Sequence, residues 1–121
     1  IRSPFHKHGR SLSLVELVDL FPTACELTGL AIPQSVQGKS LVPTLVNPKR
    51  KIKNTALSFI PKGTSLRTKN WSYMQYKDGT EELYNMKKDS KQFKNLSKSK
   101  EDLVQLLRHR KLMEERKGAV H

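Results

Sequence analysis

Few residues of this chain could do chemistry, and each lacks some of its partners. His6 and His8 alternate, which on an extended segment puts both rings on one side. A metal site there would need a third ligand, and no Asp, Glu or Cys stands nearby to provide it. Of the other two histidines, His121 is terminal, and His109 lies among Arg108, Arg110 and Lys111 and reads as part of a solvated basic helix end. Cys25 has neither a base nor a cation beside it to make a thiolate, so it reads as a buried structural thiol. As the single cysteine it also excludes an internal disulfide and a Cys-rich zinc centre. Ser58, Ser65 and Ser72 lack the G-x-S-x-G setting of an activated serine. Gly38-Lys39-Ser40 ends like a phosphate-binding loop, but Pro33 stands where that motif needs its first glycine. No paired carboxylates mark an acid–base centre.

The cations are more numerous than the reactive groups. In 121 residues, Lys and Arg outnumber Asp and Glu 23 to 11, for a formal charge of +12. That balance favours polyanions, whether nucleic acid, anionic lipid or sulfated polysaccharide, without choosing among them. Trp71 and Tyr73, with Lys62, Arg67 and Lys69 around them, could imitate an RNA-binding sheet, yet the aromatic–glycine signature of such sheets is absent and core packing is the expected use of both rings. No apolar run approaches the ~20 residues that cross a membrane as a helix. The chain opens on Ile1-Arg2-Ser3-Pro4, without Met or a secretion signal, and reads as an interior stretch of a longer protein.

The elements that must position these residues follow from pattern. Residues 1–12 read as an extended lead-in and loop. Two helix starts compete next. Ser13 and Glu16 have capping-box spacing, but a helix from Ser13 would hold Pro22 in its interior at a cost of ~3 kcal/mol. A turn over 13–18 and a helix from Asp19 to Thr28, stopped by Gly29, is the better reading. Leu20, Ala24 and Leu27 would share its inward face, with Cys25 beside them. Residues 30–54 hold Pro33, Gly38, Pro43 and Pro48 and suit little more than a short turn at 40–46. Strands are expected at 55–60, 64–69, 71–77 and 81–86, with Pro61-Lys62-Gly63 and Asp78-Gly79 at the turns. A last helix is expected from Ser99 to about Lys117, burying Leu103, Leu106, Leu107 and the stem of Arg110. The fold class is α+β: a small antiparallel sheet of three to four strands packed with helices, in which residues 1–54 form one segment and 55–121 the sheet and terminal helix.

One stretch, EELYNMKKDSKQFKNLSK at 81–98, poses a sharper question. It starts as a strand and runs into lysines broken by Phe93 and Leu96. It is either a basic arm for nucleic acid or a turn that closes a domain.

The order of motifs bears on the answer. VELVDLFPTACELTGLAIPQSVQGKSLVPTL at 15–45 resembles the segment of sulfatases that follows their main catalytic sheet, V-x-L-V-D-L-x-P-T-L-x-x-L-A-G and then E-G-x-S-L. Val15, Leu17, Val18, Asp19, Leu20, Pro22, Thr23, Leu27, Gly29, Gly38, Ser40 and Leu41 match. The stretch from Ser65 to Lys98 resembles the later blocks S-x-R-T-x-x-Y-x-Y-I-x-Y and E-L-Y-D-x-x-x-D-P-x-E-x-x-N-L, through Arg67, Thr68, Tyr73, Tyr76, Glu82, Leu83, Tyr84, Asp89, Asn95 and Leu96. The flavour is closest to the iduronate-2-sulfatase-like branch. Asn85 stands for the usual Asp, Ser90 for Pro, Gln92 for Glu, and Phe59-Ile60 for Gln-Tyr.

The resemblance implies the C-terminal subdomain of an α/β sulfatase acting on sulfated sugars or glycosaminoglycans, in a parent enzyme that is lysosomal, secreted or periplasmic. It implies calcium and a formylglycine in the upstream part, none in this stretch, and the parent's own catalytic domain and a sulfated saccharide as partners. Lys62 and Arg67 would be the substrate-binding residues, with no catalytic residue and no metal ligand here. The lysines of 87–98 would face solvent, with Phe93 and Leu96 as anchors. The alternative is a basic module that binds nucleic acid or another polyanion without catalysis. As the sulfatase reading has it, the purified chain should hydrolyse no aryl sulfate and bind no calcium tightly. Turnover that survives removal of contaminating enzyme would overturn that expectation.

Overall fold

Buried charge, rather than apolar packing, organises the first part of the protein. The computed structural model describes residues 1 and 3–119, so Arg2, Val120 and His121 lie outside the described residues. The chain divides into two units, residues 1–54 and 55–121. In the first, a single 3-10 turn at Leu17–Asp19 leads into helix α1, Leu20–Thr28. Asp19 has no solvent exposure. Its carboxylate accepts the backbone N–H groups of Glu16 and Lys39, each at 2.8 Å, and the Lys53 ammonium at 2.6 Å. Lys53 also pairs with the Glu16 carboxylate.

The helix that carries Asp19 is oriented by the same cluster. Pro22 is the third residue of α1, in the first turn, where the missing N–H costs nothing. The Thr23 hydroxyl donates to the Asp19 carbonyl at 2.5 Å and accepts the Leu41 N–H at 2.9 Å. Turning Thr23 inward sets the buried side as Pro22, Thr23 and Cys25. Leu20 and Ala24, expected on that side, are exposed instead, and Leu27 is half-buried. The Ser13–Glu16 pairing is not used as a cap. Ser13 accepts the Ile52 N–H at 3.1 Å, and the cap pairs Glu16 with Asp19. Gly38 packs directly on the 3-10 turn, where a Cβ would lie 2.0 Å from the Val18 carbonyl oxygen, so only glycine fits. The expected turn at 40–46 is a short helix, α2, Val42–Val46.

The second unit is a four-stranded antiparallel meander in the order β1-β2-β3-β4, spanning Thr55–Ile60, Gly63–Thr68, Trp71–Tyr76 and Glu81–Asn85, followed by α3, Leu103–Gly118. Register aligns Leu57 with Leu66, Leu66 with Tyr73, and Tyr73 with Leu83, which makes one apolar row across the sheet. Leu106 and Met113 of α3 cover that row, with Trp71, Leu96 and Leu112 packed around it. Each fully buried side chain of this kind is worth ~1.5–3 kcal/mol.

The turn at 86–100 closes the sheet. Asn85 Oδ1 accepts the Lys87 and Lys88 N–H groups, and Asp89 Oδ2 accepts the Lys94 N–H at 2.8 Å. The Asn95 side chain then spans the outer edge of β4, accepting the Leu83 N–H at 3.0 Å and donating to the Glu81 carbonyl at 3.2 Å. The Leu96 N–H reaches the Leu83 carbonyl at 2.8 Å. An edge strand left bare would expose unpaired donors and acceptors, and this segment occupies them. The stretch 81–98 is thus the turn that closes a domain.

Four sequence expectations change here. Phe93 is no anchor: it is 83% exposed, and Leu96 alone packs on the core. Helix α3 starts at Leu103 rather than Ser99, because the Ser99 hydroxyl bonds the Asp102 carboxylate at 2.9 Å and holds a turn before the helix. Its buried stripe is Leu106, His109 and Met113, with Leu103 and Leu107 exposed. His109 is 1% exposed, not solvated. Its Nδ1–H donates to the Gln105 carbonyl at 2.7 Å, Nε2 accepts from the Thr68 hydroxyl at 3.2 Å, and its ring lies 6.0 Å from that of Trp71.

Truncating Met113 to Ala should cost ~2–5 kcal/mol of stability. Phe93→Ala should change it by less than ~0.5 kcal/mol. Thermal melting of both variants checks the pair, and an equal loss at Phe93 would restore it as an anchor.

Candidate functional site

The two residues expected to meet substrate sit at opposite ends of one strand. Lys62 lies in the β1–β2 turn, exposed, beside a groove of about 290 Å³ lined by Pro61, Lys62, Tyr76, Lys77 and Asp78. The turn is held by the Lys77 N–H on the Lys62 carbonyl at 2.9 Å. Asp78, the acid of this groove, accepts the Thr80 hydroxyl and N–H, which hold its carboxyl below the usual range. Lys62 and Lys77 form no ion pair among the described residues. The groove therefore offers two free ammonium groups at its rim, a setting for a small anion.

Arg67 lies near the far end of β2, roughly 16 Å along the strand from Lys62 at ~3.3 Å per residue. Strand alternation places it on the face away from α3, in register with Ala56 and Ser72. Its Nη1 is buried with no hydrogen-bond partner among the described residues. Burial lowers its proton affinity, yet a guanidinium stays charged, so an unpartnered buried N–H here carries an unmet demand for an acceptor. Arg67 forms no ion pair with Glu81 or Glu82 across the sheet among the described residues. Glu81 is held on the α3 face by Arg110, at 2.8 Å from Nε and again through Nη2, and by the Tyr73 hydroxyl. Arg110 keeps the Glu81 carboxyl below its ordinary range, and burial pushes the Tyr73 phenol far up.

Neither His6 nor Cys25 gains a catalytic partner. The His6 ring lies 3.0 Å from the Ser3 hydroxyl, and Cys25 is buried. Lys39 gives its backbone N–H to Asp19, so Gly38-Lys39-Ser40 braces the hub and forms no phosphate cradle. Among the described residues no three His, Cys, Asp or Glu side chains gather as a metal site. Of the two hydroxyl–imidazole contacts, Thr68–His109 is closed off because His109 is 1% exposed, and Ser3–His6 is a local contact three residues apart. What these side chains can do chemically is hold anions.

Sequence reasoning missed Lys53, Glu81, Arg110 and the interior place of His109. The spacing of Leu106, His109 and Met113 was a usable helical signal for the last. Nothing distinguishes Lys53 from its neighbours in KRKIKN, because its burial comes from contacts with residues more than thirty positions away.

A segment anchored on Asp19, followed by an antiparallel meander and a terminal helix, makes up the α+β fold of a sulfatase C-terminal subdomain. The sequence pattern of the family described as N-sulphoglucosamine sulphohydrolase, C-terminal, matches residues 2–118, and the chain belongs to that family. It is 35% identical over 108 residues to a Delta 4,5-hexuronate-2-O-sulfatase of Bacteroides thetaiotaomicron, covering 81% of this chain and 22% of that protein. A solved structure described as a 2-O GAG sulfatase superposes with a TM-score of 0.71 at 36% identity, over 80% of this chain and 23% of the other. A phosphonate monoester hydrolase from Silicibacter pomeroyi shares the fold with a TM-score of 0.84 at 21% identity, over 99% of this chain and 28% of that one. The chain thus spans under a quarter of the length of its curated sulfatase relative.

The hub and the buried histidine set the acid response. The folded Asp19 carboxyl lies below its ordinary 3.8: burial would raise it, but the bonds from Lys53, Lys39 and Glu16 outweigh burial. His109 lies below its ordinary 6.5 because burial disfavours the imidazolium. Both groups are depressed in the folded state, so their stabilisation is complete above the unfolded value and is lost as pH falls through the folded one. Stability should therefore decline first below pH 6.5 and again below pH 3.8. A melting series in pH checks this, and His109→Gln should remove the first decline only.

Proposed function

We propose that the chain is the C-terminal subdomain of a sulfuric ester hydrolase that removes a 2-O-sulfate from uronic acid units of glycosaminoglycans. The observation that carries this reading is the 35% identity to a hexuronate-2-O-sulfatase, which runs through 81% of the chain. The iduronate-2-sulfatase-like flavour of its motifs agrees with a sulfated uronate. The fold by itself would not select a sulfate ester, since a phosphonate monoester hydrolase shares it.

In this reading the subdomain acts by shape and charge. Calcium and formylglycine belong to the remaining length of the parent enzyme. The exposed row Leu17, Val18, Leu20 and Phe21 packs on the parent's catalytic domain, as large apolar patches generally mark a covered surface. Lys62 and Arg67 serve separate anionic groups, since they lie at opposite ends of β2. Arg67, on the sheet face away from α3, supplies a guanidinium suited to a carboxylate.

The test is kinetic and uses the full-length parent. It should cleave a 2-O-sulfated unsaturated uronate disaccharide and leave a phosphonate monoester nearly untouched. Lys62→Ala and Arg67→Ala should each lower kcat/KM for the carboxylated substrate about tenfold, with a smaller loss on an uncharged aryl sulfate. Equal losses on both substrates, or a large fall in melting temperature, would make the two residues structural. Preference for the phosphonate would defeat the sulfatase reading itself.

A further inference from the structure

The turn between β4 and α3 carries more charge than closing a sheet requires. Lys87, Lys88, Lys91, Lys94, Lys98 and Lys100 stand in fourteen residues against one acid, Asp89. All six lysines are exposed. None has a side-chain hydrogen bond or ion pair among the described residues. The single acid does not neutralise them, because its carboxylate is turned onto the turn's own backbone, where the Lys94 N–H holds it at 2.8 Å.

The backbone that displays these lysines is braced at three points. Asn85 binds the Lys87 and Lys88 N–H groups, Asp89 binds the Lys94 N–H, and Asn95 fastens the end of the turn to β4. Between them Gln92 adopts a φ of 59°, a left-handed conformation that residues other than glycine rarely take. The next residue is Phe93, which is 83% exposed and packs on no core. A turn that only closed a sheet would need Asn95 and Leu96. It would not need an outward aromatic ring among six unpaired ammonium groups.

We propose that residues 87–100 form a docking strip for a sulfated polysaccharide chain. The lysines meet successive sulfate and carboxylate groups, and Phe93 lies against the apolar face of a sugar ring. The attraction is one of charge complementarity held on a fixed frame, so little order is lost when the chain binds. This inference rests on the glycosaminoglycan reading of the parent enzyme, whose substrate is a polymer of like-charged units.

The experiment uses the full-length parent and two variants. One replaces Lys87, Lys88, Lys91 and Lys94 with Ser, leaving Asn85, Asp89 and Asn95 in place. The other is Phe93→Ala. The probes are long-chain heparin, a 2-O-sulfated disaccharide, and a DNA duplex of matched charge. The lysine variant should bind heparin about tenfold or more weakly near 0.1 M salt, with a shallower dependence of affinity on salt. Phe93→Ala should weaken heparin binding with the salt dependence unchanged. Disaccharide turnover should stay at the parent's level in both. Unchanged heparin affinity, or an equal loss on the disaccharide, would overturn the strip. DNA binding as tight as heparin binding would overturn the assignment to polysaccharide. Heparin binding is read without turnover, so a parent that cleaves no 2-O-sulfated disaccharide fails the functional reading while the strip is still judged on its own measurement.

Discussion

A carboxylate sealed from water must be surrounded by donors, and at Asp19 that requirement shapes the whole first unit. Three donors come from three places in the sequence: the residue before the 3-10 turn, the loop at Lys39, and Lys53. Removing the carboxylate would strand a buried ammonium, and removing Lys53 would leave Asp19 and Glu16 facing each other across a dry gap. Either break is of the class that costs ~3–5 kcal/mol, far beyond a surface ion pair. Pro22, Thr23, Gly38 and Leu41 follow from it. They let the helix start, turn its polar side inward, bring the loop into contact, and return a backbone donor to Thr23.

The second unit solves a different problem. A small sheet needs one face covered and its edges guarded. Leu57, Leu66, Tyr73 and Leu83 supply a continuous row, and α3 covers it with Leu106 and Met113. Asn95 guards the β4 edge by imitating a strand with its side-chain amide. His109 fits among these apolar groups because both ring nitrogens are satisfied without a charge, one by a carbonyl of its own helix and one by Thr68. The Tyr73–Glu81–Arg110 cluster then fixes α3 against β3 and β4 at the rim.

Each of the two units is a scaffold whose hydrogen bonding and packing depend on no particular substrate. Sulfate and phosphonate ester hydrolases can both carry it, so specificity has to be written in side chains that the scaffold displays rather than uses. Arg67 and the lysines of 87–100 are such side chains. Each is held by well-satisfied backbone, and none is needed to close the core. The departures from the family pattern at Asn85 and Gln92 leave the frame intact, since Asn85 still caps the turn.

The sequence by itself determined the four strands to within a residue at every end, the helix around 20–28, the hairpin at Asp78-Gly79 and the family. These rest on local signals: alternation, glycine and proline positions, and motif order. The tertiary structure decided which side of each helix is buried. The Leu20 face lost to Thr23 because a polar side chain with two distant partners outweighed an apolar stripe. His109 went inside because Thr68 and Gln105 were there to receive it. Phe93 went outside because Asn95 and Leu96 already closed the edge. The pairing of Lys53 with Asp19, and the separation of Lys62 from Arg67 along one strand, were likewise decided in space. A buried ion pair and an end-to-end strand distance depend on where remote segments meet, and no local pattern encodes that meeting.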